Sequence, residues 1–177
     1  MSSGTTNHGL PDGIASEHVD EIAGWRRHAS PLSLVVFGAV VFLALSGFLG
    51  HERDWEASSN GTSLRIHQPE VIRNGEFLEL RIAVESDDGI GAMAIGIDQS
   101  LWEDLTVNTM IPAATEEASE DGEFRFTFGQ LEAGTSFLLK VDAQINPDFL
   151  GGNDGSVTIY DGDDALVSTT VSMQVLP

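Results

Sequence analysis

The sequence predicts an all-β sandwich of about seven to eight strands, preceded by one transmembrane helix and a disordered N-terminal tail. Three observations predict it. One uncharged apolar run, Leu32–Gly50, interrupts an otherwise polar chain. From Thr62 onward, short runs rich in Val, Ile, Phe and Thr alternate apolar with polar residues, and Gly, Pro, Asn or Asp separates them. No segment in that part repeats its apolar positions at the spacing of a helix. The expected organisation is a tail over 1–30, a helix over 31–50, a linker over 51–61 and the sandwich over 62–177.

The anchor follows from solvation. A helix rises about 1.5 Å per residue, so the run from Leu32 to Gly50 nearly crosses a hydrocarbon core of about 30 Å. Ser30 is placed to cap that helix, Pro31 occupies a first-turn position that tolerates proline, and Trp25 falls near the membrane interface. Arg26 and Arg27 precede the run while Glu52, Asp54 and Glu56 follow it, which puts the N-terminus in the cytoplasm and the large domain in the periplasm or outside the cell. Ala44-Leu45-Ser46 offers the alternative of a cleaved signal peptide, but the segment before it is long and acidic and the apolar run exceeds a usual h-region. An uncleaved single-pass anchor in the cell membrane is therefore expected. Ser16–Trp25 is expected as a short helix within the tail.

Charge excludes some partners. The formal net charge is −20, from 28 acidic and eight basic residues, and Arg26-Arg27 is the one adjacent basic pair. Nucleic-acid binding needs a basic patch, so no nucleic acid is expected. With no cysteine the chain has no disulfide, thiolate metal site or cysteine nucleophile.

The strands read in order. Ser63–His67 alternates and Pro69 ends it; Asn74-Gly75 is a turn; Phe77, Leu78, Leu80, Ile82 and Val84 form an amphipathic strand opposite Glu79, Arg81 and Glu85. Asp87-Asp88-Gly89 turns the chain into Ile90–Ile97, and Leu105–Ile111 follows, closed by Pro112. Glu116–Gly122 is expected as an acidic loop. Phe124, Phe126 and Phe128 then alternate and are expected to face the core. Phe137–Ala143, Val157–Tyr160 and Leu166–Val175 complete the set.

The stretch Leu131–Ala143 resembles the corner and following strand of fibronectin type III and related immunoglobulin-like domains, with the turn glycine at Gly134 before an aromatic and an alternating strand. Phe137 stands where those families usually carry tyrosine, so the tyrosine-corner hydrogen bond is missing. The arginine flank, the Ser30–Leu34 helix start, Arg73–Phe77, Thr106–Met110, Gln144–Asp148 and the terminal Val175–Pro177 together resemble a group of bacterial single-pass membrane proteins with a periplasmic immunoglobulin/fibronectin-III-like domain. That resemblance implies an immunoglobulin-like sandwich and a topology, and no activity.

Chemistry-bearing patterns are sparse. No Gly-x-Ser-x-Gly elbow is present, and His67 is the one histidine within the 62–177 segment, so no catalytic residue and no cofactor are assigned and the chain is not expected to be an enzyme. Asp154, Asp161 and Asp163 are the metal candidates, hard oxygen donors in Asn153-Asp154-Gly155 and Asp161-Gly162-Asp163-Asp164; both segments also read as hairpin turns flanking one strand. Asn60-Gly61-Thr62 is a glycosylation sequon that reads as a loop in a bacterium. Trp102, Asn108 and Asn146 are candidate partner contacts: the tryptophan as an exposed anchor or a core residue, the amides as backbone-satisfying groups or a binding edge. The expected function is a membrane-anchored accessory module of the cell envelope that binds another envelope or membrane protein. The alternative is an exported domain for a small ligand, glycan or divalent cation.

Overall fold

The computed structural model describes residues 16–47, 51–146 and 150–177, with side chains from Pro31 onward. The chain divides into two units, Met1–Ser46 and Gly47–Pro177.

Among its described residues the first unit holds one helix, α1 (Ser16–Leu45), with Pro31 inside it. The expected break at Ser30-Pro31 is thus absent. Proline removes one backbone hydrogen bond, and the good helix formers Ala23, Arg26, Arg27 and Ala29 before it carry the helix past that loss. The short helix expected over Ser16–Trp25 is the first part of α1, which continues without interruption through 26–30, while residues 1–15 lie outside the described residues. The apolar side chains from Leu32 to Leu45 are exposed all round the helix. Among the described residues, no helix is long and apolar enough to cross a membrane. Residues 48–50, the end of the apolar run, lie outside the described residues.

The second unit is an all-β sandwich. Its strands are β1 (Glu52–Ser59), β2 (Thr62–Pro69), β3 (Val71–Arg73), β4 (Phe77–Ser86), β5 (Ile90–Asp98), β6 (Leu105–Ile111), β7 (Glu116–Glu120), β8 (Glu123–Leu131), β9 (Thr135–Ile145), β10 (Gly151–Asp161) and β11 (Asp164–Leu176). A one-turn helix, α2 (Gln99–Trp102), joins β5 to β6. One sheet has the order β1-β2-β4-β9-β6 and the other β3-β11-β10-β5-β8-β7. Every neighbouring pair is antiparallel except β3 and β11.

Among the described residues eleven strands stand where seven to eight were expected, and two of the additions, β1 and β7, have a local cause. The stretch 51–61, expected as a linker, is β1 and its turn: Asn60 and Gly61 both have positive φ, +49° and +75°, the geometry of a two-residue hairpin turn. The acidic loop is β7, closed onto β8 by a second such turn at Asp121-Gly122. Asn153-Asp154-Gly155 lies within β10 instead of forming a hairpin turn, whereas the expected turn at Gly162-Asp163 joins β10 to β11.

The core fills the space between the sheets. Leu64, Ile66, Ile82, Val84, Leu139 and Val141 face Ile95, Ile97, Phe126, Val157, Ile159 and Val171, all fully or almost fully buried. Each such side chain contributes roughly 1.5–3 kcal/mol of hydrophobic stabilisation. Of the three alternating phenylalanines, Phe126 is buried while Phe124 and Phe128 are half-buried at the margin of the core. Phe77 does not join the amphipathic face of β4. It is 72% exposed, because it has the strand parity of Glu79 and Arg81.

Candidate interaction edge

A sandwich of two open sheets has four edge strands, and an edge presents unpaired backbone N–H and C=O groups. Here the edges are β1, β6, β3 and β7. Charge or brevity shields three of them. β1 carries Glu52, Arg53, Asp54 and Glu56; β7 carries Glu116, Glu117 and Glu120; β3 is three residues long. β6, Leu-Thr-Val-Asn-Thr-Met-Ile, has no charged residue, and β9 is its single strand partner among the described residues.

The chain is anchored firmly where it enters this edge. Leu101 is buried, and the Trp102 ring meets Phe126 at 5.1 Å between centroids. The Ser100 hydroxyl donates to the Asp154 carbonyl at 2.9 Å, and the Asn153 side-chain amide donates to the Ser100 carbonyl at 2.8 Å. Asp98 Oδ2 accepts from both the backbone N–H and the hydroxyl of Ser156, at 2.7 and 2.9 Å. β10 comes this close because residue 155 is glycine: a Cβ there would stand 2.8 Å from Leu101 Cγ and 2.9 Å from Asp98 Cβ.

At the start of β6, the Thr106 hydroxyl donates to Asn146 Oδ1 at 2.7 Å and the Asn146 backbone N–H donates to the Asp104 carbonyl at 2.9 Å. Further along, the β6–β9 register shifts between Val107 and Thr109, leaving Asn108 as the extra, exposed residue of a bulge. Val107 is 37% exposed and Ile111 58% exposed. On the outer face Thr106 is opposite Gln144, Thr109 opposite Asp142 and Ile111 opposite Lys140. Asp142 and Lys140 have no ion-pair partner among the described residues, while the neighbouring Arg81 pairs with Glu79.

Two of the three candidate partner contacts thus meet on one edge, Asn108 as a free bulge residue and Asn146 as the clasp at its beginning. Trp102 is half-buried against the core. The three metal candidates are not brought together. Asp154 and Asp161 lie near opposite ends of β10; Asp161 Oδ1 accepts the Ala92 N–H at 2.8 Å, and Asp163 lies 3.5 Å from Arg125 Nη1. Among the described residues, no group of three or more His, Asp or Glu side chains is arranged to hold a metal ion. His67 places Nδ1 2.8 Å from Asp54 and Nε2 3.2 Å from Glu52, a surface cluster spanning β1 and β2.

Sequence reasoning did not foresee a polar cluster on the outer face of the six-stranded sheet. Arg125 stacks on the Tyr160 ring at 4.0 Å, and the Tyr160 hydroxyl donates to Glu123 Oε2 at 3.0 Å. Glu123 and Arg125 are both on β8 and Tyr160 is on β10, so the cluster joins two strands that are not consecutive in the chain. The one local signal for the open edge was the uncharged composition of Leu105–Ile111 in so acidic a chain.

No family model matches the chain, and no curated protein matches it. Among solved structures it is similar to a non-cellulosomal cohesin from the hyperthermophilic archaeon Archaeoglobus fulgidus, at 10% identity and a TM-score of 0.41, over 71% of this chain and 91% of that one. It is also similar to CaCohA2 from Clostridium acetobutylicum, at 14% identity and a TM-score of 0.38, over 67% of this chain and 79% of that one.

Proposed function

We propose that the chain is a membrane-anchored accessory module of the cell envelope whose sandwich binds another envelope or membrane protein through the β6 edge. The observation that carries this reading is the contrast among the four edges: three are shielded by charge or brevity, while β6 is uncharged and partly apolar and is interrupted only by the bulge at Asn108. Binding, not catalysis, is the proposed activity. The anchor is part of the same proposal and is supported by the uncharged run Leu32–Gly50 and by the exposed apolar side chains from Leu32 to Leu45. The arginines before that run support a cytoplasmic N-terminus, and the motifs from Arg73–Phe77 to Gln144–Asp148 support kinship with the bacterial single-pass group.

The test uses the tagged full chain extracted in mild detergent. The expected result is a stoichiometric envelope protein that co-purifies with the wild type and is lost from Thr109→Lys, a variant that charges the edge without touching the core. Equal recovery by that variant would move the contact away from β6. Recovery of chaperones alone would overturn the binding reading.

A further inference from the structure

We propose that β6 accepts an extended partner segment as a sixth strand, and that this segment carries a lysine or arginine aimed at Asp142. The proposal rests on the reading of β6 as the binding edge and adds the chemistry of what binds there.

Strand addition follows from the backbone. Among the described residues the sheet ends at β6 beyond β9, so the outer row of β6 backbone groups is available to a further strand about 4.8 Å away. The bulge at Asn108 divides the edge into two short stretches, Leu105–Val107 and Thr109–Ile111. Such an edge suits a short segment better than the long flat edge of a second sheet.

Charge decides the kind of segment. Cross-strand neighbours continue through the edge: the outer-face row through Asp142 reaches Thr109, and the row through Lys140 reaches Ile111. A side chain on an added strand opposite Thr109 passes over a small hydroxyl residue to reach an unpaired carboxylate, whereas one opposite Ile111 meets a bulky apolar residue 58% exposed to solvent. Glu103 and Asp104 stand just before the start of the same edge, adding negative charge. At longer range the domain is acidic: from Glu52 onward the chain holds 24 acidic residues against six basic ones. That field steers a cationic segment in and repels a second copy of this chain. The fitting occupant is therefore a foreign extended segment with a basic residue opposite Thr109 and an apolar residue opposite Ile111.

The experiment uses the full chain in detergent and three synthetic peptides, each seven residues long to match β6. One alternates threonine and valine with a central lysine, the second replaces that lysine by glutamate, and the third is the lysine peptide N-methylated at alternate amides so that it cannot form a ladder. The lysine peptide is expected to bind on the order of tenfold more tightly than the glutamate peptide, with an advantage that shrinks as salt rises. The N-methylated peptide is expected not to bind. Asp142→Asn is expected to abolish the lysine preference and leave the sensitivity to N-methylation. Equal binding of the lysine and glutamate peptides, or a preference unchanged in Asp142→Asn, would overturn the charge assignment while leaving the edge intact. Failure of all three peptides, or sedimentation showing a dimer that Thr109→Lys dissociates, would overturn the edge as a site for a foreign strand.

Discussion

The Tyr160 hydroxyl donates its hydrogen bond to the Glu123 carboxylate at 3.0 Å, on the face of the six-stranded sheet that turns away from the core. Tyr160 is on β10 and Glu123 on β8, with β5 between them. The carboxylate fits because residue 96 on β5 is glycine: a Cβ there would lie 2.3 Å from the Glu123 carboxyl carbon. Burial, and then the hydrogen bond to and the negative charge of Glu123, raise the Tyr160 pKa above its ordinary value of 10.0, while Arg125 opposes them.

Tyr160 is the one tyrosine of the chain, so an ultraviolet titration reads this phenol alone. Its midpoint is expected above that of unfolded protein in the same salt, and Glu123→Gln is expected to bring it down. The folded phenol keeps its proton to a higher pH than the unfolded one. Stability is therefore full below the unfolded value near 10, falls as pH rises from there to the folded value, and is level beyond it. A midpoint at or below the unfolded value would contradict this geometry.

Gly155→Ala is expected to destabilise the sandwich by about 1–3 kcal/mol, because the added methyl enters space already filled by Leu101, Ser100 and Asp98. Urea unfolding followed by tryptophan fluorescence measures it. A change within about 0.5 kcal/mol would mean that α2 yields easily, and that Trp102 is held less firmly than its contact with Phe126 implies.

Asn146→Ala removes the acceptor of the Thr106 hydroxyl but keeps the backbone bond to Asp104. The expected loss is about 0.5–1.5 kcal/mol, with faster amide exchange confined to the beginning of β6. Faster exchange throughout β9 would show that the clasp supports the whole sheet and not its edge alone.

Orientation is checked by labelling. With Ser58→Cys, the exposed β1 thiol is expected to react with an impermeant reagent in intact spheroplasts, whereas Ser3→Cys reacts only after lysis. The reverse pattern would invert the proposed topology. Labelling of both before lysis would remove the anchor from it.

Most of the fold was legible because the alternation of β2, β4 and β9 is a local property, and burying one face of each strand is a local choice of parity. The same rule read strictly would have put Phe77 outside. β1 and β7 were hidden by composition: Glu-Arg-Asp-Trp-Glu and Glu-Glu-Ala-Ser-Glu look like solvated loops, and such charge is what an edge strand carries. The two-residue turns at Asn60-Gly61 and Asp121-Gly122 were the readable signal, since both pairs favour the left-handed backbone that joins tight hairpins.

The candidate edge was half legible. Asn108 and Asn146 could be singled out as amides beside strands, but nothing local says that a residue in β6 lies opposite one in β9 or that β6 ends its sheet. The sequence by itself determined the all-β class, the alternating core positions, the uncharged segment before them and the acidic balance, because each depends on the solvation of residues close together in the chain. Only the tertiary structure decided which strands became edges, that Asp142 and Lys140 flank the open one, and that Glu123, Arg125 and Tyr160 meet. Those relations join residues tens of positions apart, and they are set by how two sheets close over a shared core, which no local pattern encodes.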